Sequence, residues 1–173
     1  PYFGDNGKAV MWVHHTPWHM ERRFTATRAD IDGYLTLTLE NVDCIATVFL
    51  NGEAIASTQN QFIRYDIDVT GKVKAGTNTL RLEFAVTRDV AKARADAHPF
   101  PIPFTYNYLS NGLEGVHMNF VRKAACHAGW DWGICLMPTG VYGRMAIRRS
   151  RLARQDSVTV EQAHGKKSVE LSI

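Results

Sequence analysis

Hydrophobic and polar side chains alternate along most of this chain. Leu35, Leu37 and Leu39 alternate with Tyr34, Thr36, Thr38 and Glu40. Ile63, Tyr65, Ile67 and Val69 alternate with Arg64, Asp66 and Asp68. Leu80, Leu82, Phe84 and Val86 alternate with Thr79, Arg81, Glu83 and Ala85. A period of two over this many residues predicts strands with one face in a core and the other in water. The stretches 21–28, 44–50 and 141–147 carry weaker versions of the same pattern. Turn signals separate the runs. Asn51-Gly52 supplies the two positive-φ residues of a type I′ hairpin, and Asp32-Gly33, Thr70-Gly71 and Ala75-Gly76 are further breaks. Many short strands at this spacing predict an all-β sandwich of jelly-roll or Greek-key type.

Two stretches depart from the alternation. Residues 90–97 are Ala-rich and predict a short helix, with Asp89 as its N-cap. Beyond it, Pro99, Pro101 and Pro103 are interspersed with Phe100, Phe104, Tyr106 and Tyr108, in an irregular stretch that continues to about Asn119. A loop of ~20 residues is uncommon in a compact domain and is often functional. After Arg154 the pattern resets. Residues 157–163 and 168–173 read as two new strands around His164-Gly165, the opening of a second β-domain. The expected division is therefore 1–154 and 155–173. The chain begins without Met, on PYFGDN, and is expected to be a piece of something longer.

With 173 residues and a hydrophobic share of 45%, the chain can bury a core. A net charge of +3 argues against a dedicated nucleic-acid binder. The basic cluster Arg144, Arg148, Arg149, Arg151 and Arg154 reads more readily as a solvated strand end running into a linker than as a phosphate-binding patch, because no aromatics are interleaved and Asp156 follows. No apolar run approaches the ~18–20 residues of a membrane span, so no membrane partner is expected. Cys44, Cys126 and Cys135 are odd in number and do not form a disulfide framework; reduced, buried thiols are expected, which favours a cytoplasmic origin slightly over a periplasmic one.

The richest chemistry lies in RKAACHAGWDWG, from Arg122 to Gly133. Trp130 and Trp132 flank Asp131, with Gly129 and Gly133 on either side. Indole rings cover the C–H faces of a sugar, and a carboxylate accepts hydrogen bonds from its hydroxyls. Trp-rich segments are more often core filling than binding sites, so by residue type alone core is the readier reading. Other chemistries have less support. There is no G-x-S-x-G, and Cys126 beside His127 on a strand would face the opposite way. His14, His15 and His19, or His117, Cys126 and His127, lack the paired spacing of a zinc module, so no metal and no cofactor are expected. Glu21, Glu40, Glu53, Glu83, Glu114, Glu161 and Glu170 give no pair that can be placed across one glycosidic bond, and no catalytic residue is assigned.

Several segments resemble the N-terminal jelly-roll, galactose-binding-domain-like domain of β-mannosidases, in glycoside hydrolase family 2. They are Pro1 to Asn6, Trp18 to Phe24, Asn41-Val42-Asp43, Val48-Phe49-Leu50-Asn51-Gly52, Phe62 to Thr70 and Gly76 to Leu82. These identify the fold; RKAACHAGWDWG is the substrate-specific match, with Ala128 where an aromatic is usual and Ile134 where Pro is usual. The resemblance implies that Trp130 packs beside a terminal β-mannoside and that Asp131 binds its hydroxyls, with support from Trp132, Arg122 and His127. It also implies opening strands ahead of Pro1, an immunoglobulin-like domain beginning near residue 155, and a downstream (β/α)₈ barrel of the same polypeptide that carries two catalytic Glu of a retaining hydrolase. A free-standing carbohydrate-binding module and a purely structural buttress are the alternatives.

Overall fold

The computed structural model describes residues 3–103, 117–129, 134–152 and 157–173. Its elements follow the alternation. A one-turn helix α1 (Asn6–Ala9) and a 3₁₀ turn (Met11–His15) precede β1 (Trp18–Ala26). Then come β2 (Tyr34–Leu39), β3 (Val42–Asp43), β4 (Ala46–Leu50), β5 (Glu53–Thr58), β6 (Tyr65–Asp68) and β7 (Gly76–Phe84). Helix α2 (Thr87–Asp96) and two 3₁₀ turns (Met118–Phe120 and Ala125–Ala128) separate these from β8 (Gly140–Val141), β9 (Met145–Ser150), β10 (Glu161–His164) and β11 (Val169–Ser172).

Two antiparallel sheets share one core. The first has the order β1-β7-β4-β5 and the second β6-β2-β9. Leu35, Leu37 and Leu39 on β2 meet Val48 and Leu50 on β4 and Leu80, Leu82 and Phe84 on β7 in a single cluster. The alternation is the cause: every second side chain of β2 and β7 lands on the inner face. The hairpin between β4 and β5 turns at Asn51 (φ 54°) and Gly52 (φ 87°), both in the left-handed region that this turn demands. The all-β sandwich is thus present. The three-stranded sheet does not fully cover the four-stranded one. Met20 pairs with Leu82 in register, yet it is 42% exposed and lines an open groove of about 620 Å³ between β1 and β9.

Several boundaries differ from the sequence reading. The stretch 21–28 is the longer strand Trp18–Ala26, because all nine residues pair with β7. The stretch 44–50 becomes β4 alone, and Val42–Asp43 pairs separately with β8. The stretch 141–147 splits into β8 and β9 around Gly143, where a Cβ would lie 2.6 Å from the Glu40 carbonyl oxygen. Helix α2 starts at Thr87, not at 90, so Asp89 sits in its first turn instead of capping it. A carboxylate there faces the partial positive charge of the helix N-terminus. The strand at 157–163 shortens to Glu161–His164, which pairs only with β11.

A second, smaller core positions the site. Ala91 of α2, Met118, Val121, Ala128, Cys135 and Met137 cluster together, with Met11 and Ile45 packed on them. It ties the irregular stretches around residues 118–129 and 134–139 to the rest of the molecule.

Candidate sugar-contact segment and its base

The segment that begins at Arg122 is held from three sides. Gln61, only 9% exposed, donates its backbone N–H to the Arg122 carbonyl at 2.9 Å, and its Oε1 accepts the Ala124 N–H at 2.8 Å. Asn60 and Arg122 form a parallel bridge. The Lys123 side chain turns inward and is fully buried. Its ammonium donates to Asp43 Oδ2, which is equally buried, and to the Pro138 carbonyl. The His127 ring places Nδ1 3.1 Å from the same Asp43 Oδ2, and the His127 carbonyl accepts the Met137 N–H at 2.8 Å. Strand β3 fixes Asp43 through its pairing with Gly140.

The electrostatics follow from that burial. Desolvation pulls the Lys123 ammonium below the ordinary lysine range, and the Asp43 carboxylate opposes the pull. His127 is also pulled down, by burial first and then by the Lys123 charge. A neutral His127 donates Nδ1–H to the carboxylate. Tyr142, whose ring centroid lies 6.1 Å from that of His127, is pushed up by burial and by Asp43. Asp43 Oδ1 is buried with no hydrogen-bond partner among the described residues.

Of the residues singled out in the sequence, Trp130, Asp131 and Trp132 lie outside the described residues. His127 is brought to Asp43, while Arg122 contributes its backbone and leaves its side chain exposed. Lys123 and Asp43 had no assigned role. The one local signal for Lys123 is that it is the last cation, after Arg122, before the small apolar run Ala124-Ala125-Cys126, and its partner lies 80 positions away. Two expectations for the cysteines are corrected. Cys126 is exposed, and it sits with His127 on a 3₁₀ turn, not on a strand. Cys44 and Cys135 are buried, and burial pushes both thiols up to about 11. Of the two departures from the family pattern, Ala128 is buried in the second core, and Ile134 approaches Gly7: a Cβ added there would lie 3.2 Å from the Ile134 Cδ1. No cluster of three metal-ligating side chains occurs among the described residues, and no helix there is long and apolar enough to cross a membrane.

The described residues form an antiparallel two-sheet sandwich of jelly-roll type, with residues 117–129 and 134–139 packed beside it and Lys123 paired with Asp43 of β3 in a buried ion pair. Residues 1–143 match the model of the glycosyl hydrolase 2 galactose-binding domain-like family, and the chain belongs to that family. A probable β-mannosidase of Caenorhabditis elegans is 30% identical over 96% of this chain, and the β-mannosidase of Rattus norvegicus is 29% identical over 92%. The crystal structure of the β-D-mannosidase from Dictyoglomus thermophilum superposes over 99% of the chain with a TM-score of 0.81 at 26% identity. An exo-chitosanase of Amycolatopsis orientalis shares the fold, with a TM-score of 0.56 at 19% identity over 88% of the chain. The chain spans about a fifth of the length of these β-mannosidases: 19%, 18% and 20%.

Proposed function

We propose that this chain is the non-catalytic N-terminal domain of a β-mannosidase-type glycoside hydrolase. It contributes substrate contacts to the active site of a (β/α)₈ barrel carried by the same full-length polypeptide. Trp130 packs on the face of a terminal β-mannoside and Asp131 accepts hydrogen bonds from its hydroxyls, with Trp132, Arg122 and His127 in support. The observation that carries this reading is a likeness to β-mannosidases over 96% of the chain, which takes in the Trp-Asp-Trp segment. The acid chemistry agrees with it. Asp43 is the one fully buried carboxylate among the described residues, and it is committed to Lys123 and His127. General acid and nucleophile would then come from the barrel, which would hydrolyse the mannoside with retention. The division at 154/155, with an immunoglobulin-like domain beginning there, belongs to the same proposal.

The test is Asp131→Ala in the full-length polypeptide. Loss of a charged hydrogen bond in a closed site costs on the order of 2–4 kcal/mol, so kcat/KM for an aryl β-mannoside falls about 30- to 1,000-fold. Unchanged kcat/KM removes Asp131 from the site. Titration of the 173-residue chain with mannosides adds a second readout: submillimolar affinity identifies a free-standing binding module instead.

A further inference from the structure

We propose that Lys123 and Asp43 are positioning residues for mannoside hydrolysis, acting as a buried clamp that closes the base of the sugar-contact segment. This rests on the reading of Trp130 and Asp131 given above. The Lys123 ammonium binds the Pro138 carbonyl, 15 residues on, and Asp43 on β3. It thereby joins the chain entering the segment, the chain leaving it, and a strand held in register with Gly140. The bond from Met137 N–H to the His127 carbonyl closes a second, inner rung, and Asp43 holds the His127 ring. Trp130, Asp131 and Trp132 fall in sequence between the two ends of that rung.

A buried ion pair is a poor source of stability, because desolvation offsets its attraction, and an apolar pair of similar volume often serves as well. Here the ammonium does something an apolar side chain cannot: it satisfies a carbonyl on the returning chain. A lysine can serve both acceptors at once because its three N–H donors diverge from one point. The clamp is thus a device for location. Misplacing a binding group by about 1 Å can cost 100-fold in rate.

Lys123→Met in the full-length polypeptide should lower kcat/KM for an aryl β-mannoside roughly 10- to 100-fold, mainly through KM. Amide exchange at 125–129 and 134–137 should rise by roughly tenfold or more while β4 and β7 keep their protection. The double variant Asp43→Asn/Lys123→Met leaves no lone buried charge. It should regain the wild-type Tm to within about 3 °C yet keep the kcat/KM deficit, since Pro138 still lacks its donor. Leu82→Ala, remote from the clamp, should lower Tm with kcat/KM per folded molecule unchanged. Recovery of Tm and kcat/KM together in the double variant makes the pair merely structural and overturns the proposal. So does wild-type kcat/KM in the Lys123→Met protein. Asp131→Ala, measured in parallel, separates the two readings. If it keeps full kcat/KM, the sugar-contact reading fails and the positioning role falls with it, while raised exchange in Lys123→Met still identifies an anchor. If it loses kcat/KM and Lys123→Met does not, the clamp alone fails.

Discussion

At the scale of single residues, buried polar groups set the pH response. His14 is 4% exposed on the 3₁₀ turn before β1, and neither ring nitrogen has a hydrogen-bond partner among the described residues. Burial, then the neighbouring His15 and Arg88 charges, lowers its pKa to about 4, from 6.5. The unfolded chain therefore binds a proton at His14 between pH 6.5 and 4 that the folded chain does not. Stability from this group is full above about pH 6.5, falls as the pH drops through that window, and levels off below about 4. The whole effect is at most about 3 kcal/mol. Urea midpoints at pH 7 and pH 4.5 should separate for the wild type, and the separation should shrink in His14→Leu. An equal separation in both proteins would mean that other groups govern the slope. Asn78 plays the opposite part, because its amide is fully used. Its Oδ1 accepts from the Lys74 N–H and the Asn51 amide, and its Nδ2 donates to the Lys74 and Gly76 carbonyls. Asn78→Ala strands those groups in a site 1% exposed, and should cost about 2–3 kcal/mol in chemical denaturation.

Among the elements, β7 matters most. It lies between β1 and β4 and carries Leu80, Leu82 and Phe84 into the core. Leu82→Ala leaves a cavity there and should cost about 2–5 kcal/mol. Gly143 breaks the run that separates β8 from β9. An added Cβ would strike the Glu40 carbonyl, so Gly143→Ala should cost about 1–3 kcal/mol and loosen the exchange-protected amides of β9 first. The alternating leucines of β2 and β7 were legible in the sequence because a strand half in water must repeat every two residues. The start of α2 was not. Thr87 and Asp89 are both residue types that favour the position before a helix, yet the residue in that position is Val86, extended (φ −66°, ψ 102°) and making no side-chain capping bond, two residues after β7 ends at Phe84. The site divides along the same line. Indoles around a carboxylate are local and could be read directly, whereas Lys123 and Asp43 gain their meaning from a contact across 80 positions.

For the molecule as a whole, the hairpin β10–β11 stands apart from the sandwich. Every described residue from 157 to 173 is exposed, and the two strands pair only with each other. A lone two-stranded hairpin is marginal in water. Removing residues 157–173 should therefore shift the Tm of the chain by less than about 2 °C, since little apolar surface is uncovered. A larger drop would show that the hairpin is part of the same cooperative unit. Alternation, the Asn-Gly turn and the Trp-Asp-Trp motif depend only on near neighbours along the chain, and by themselves they determined a β-sandwich and marked Trp130, Asp131 and Trp132 as candidates for sugar contact. Sheet order, the division of 141–147 around Gly143 and the burial of a lysine on a distant aspartate were decided only in three dimensions. Those features depend on which strands meet, and on the dielectric that the packed neighbours create.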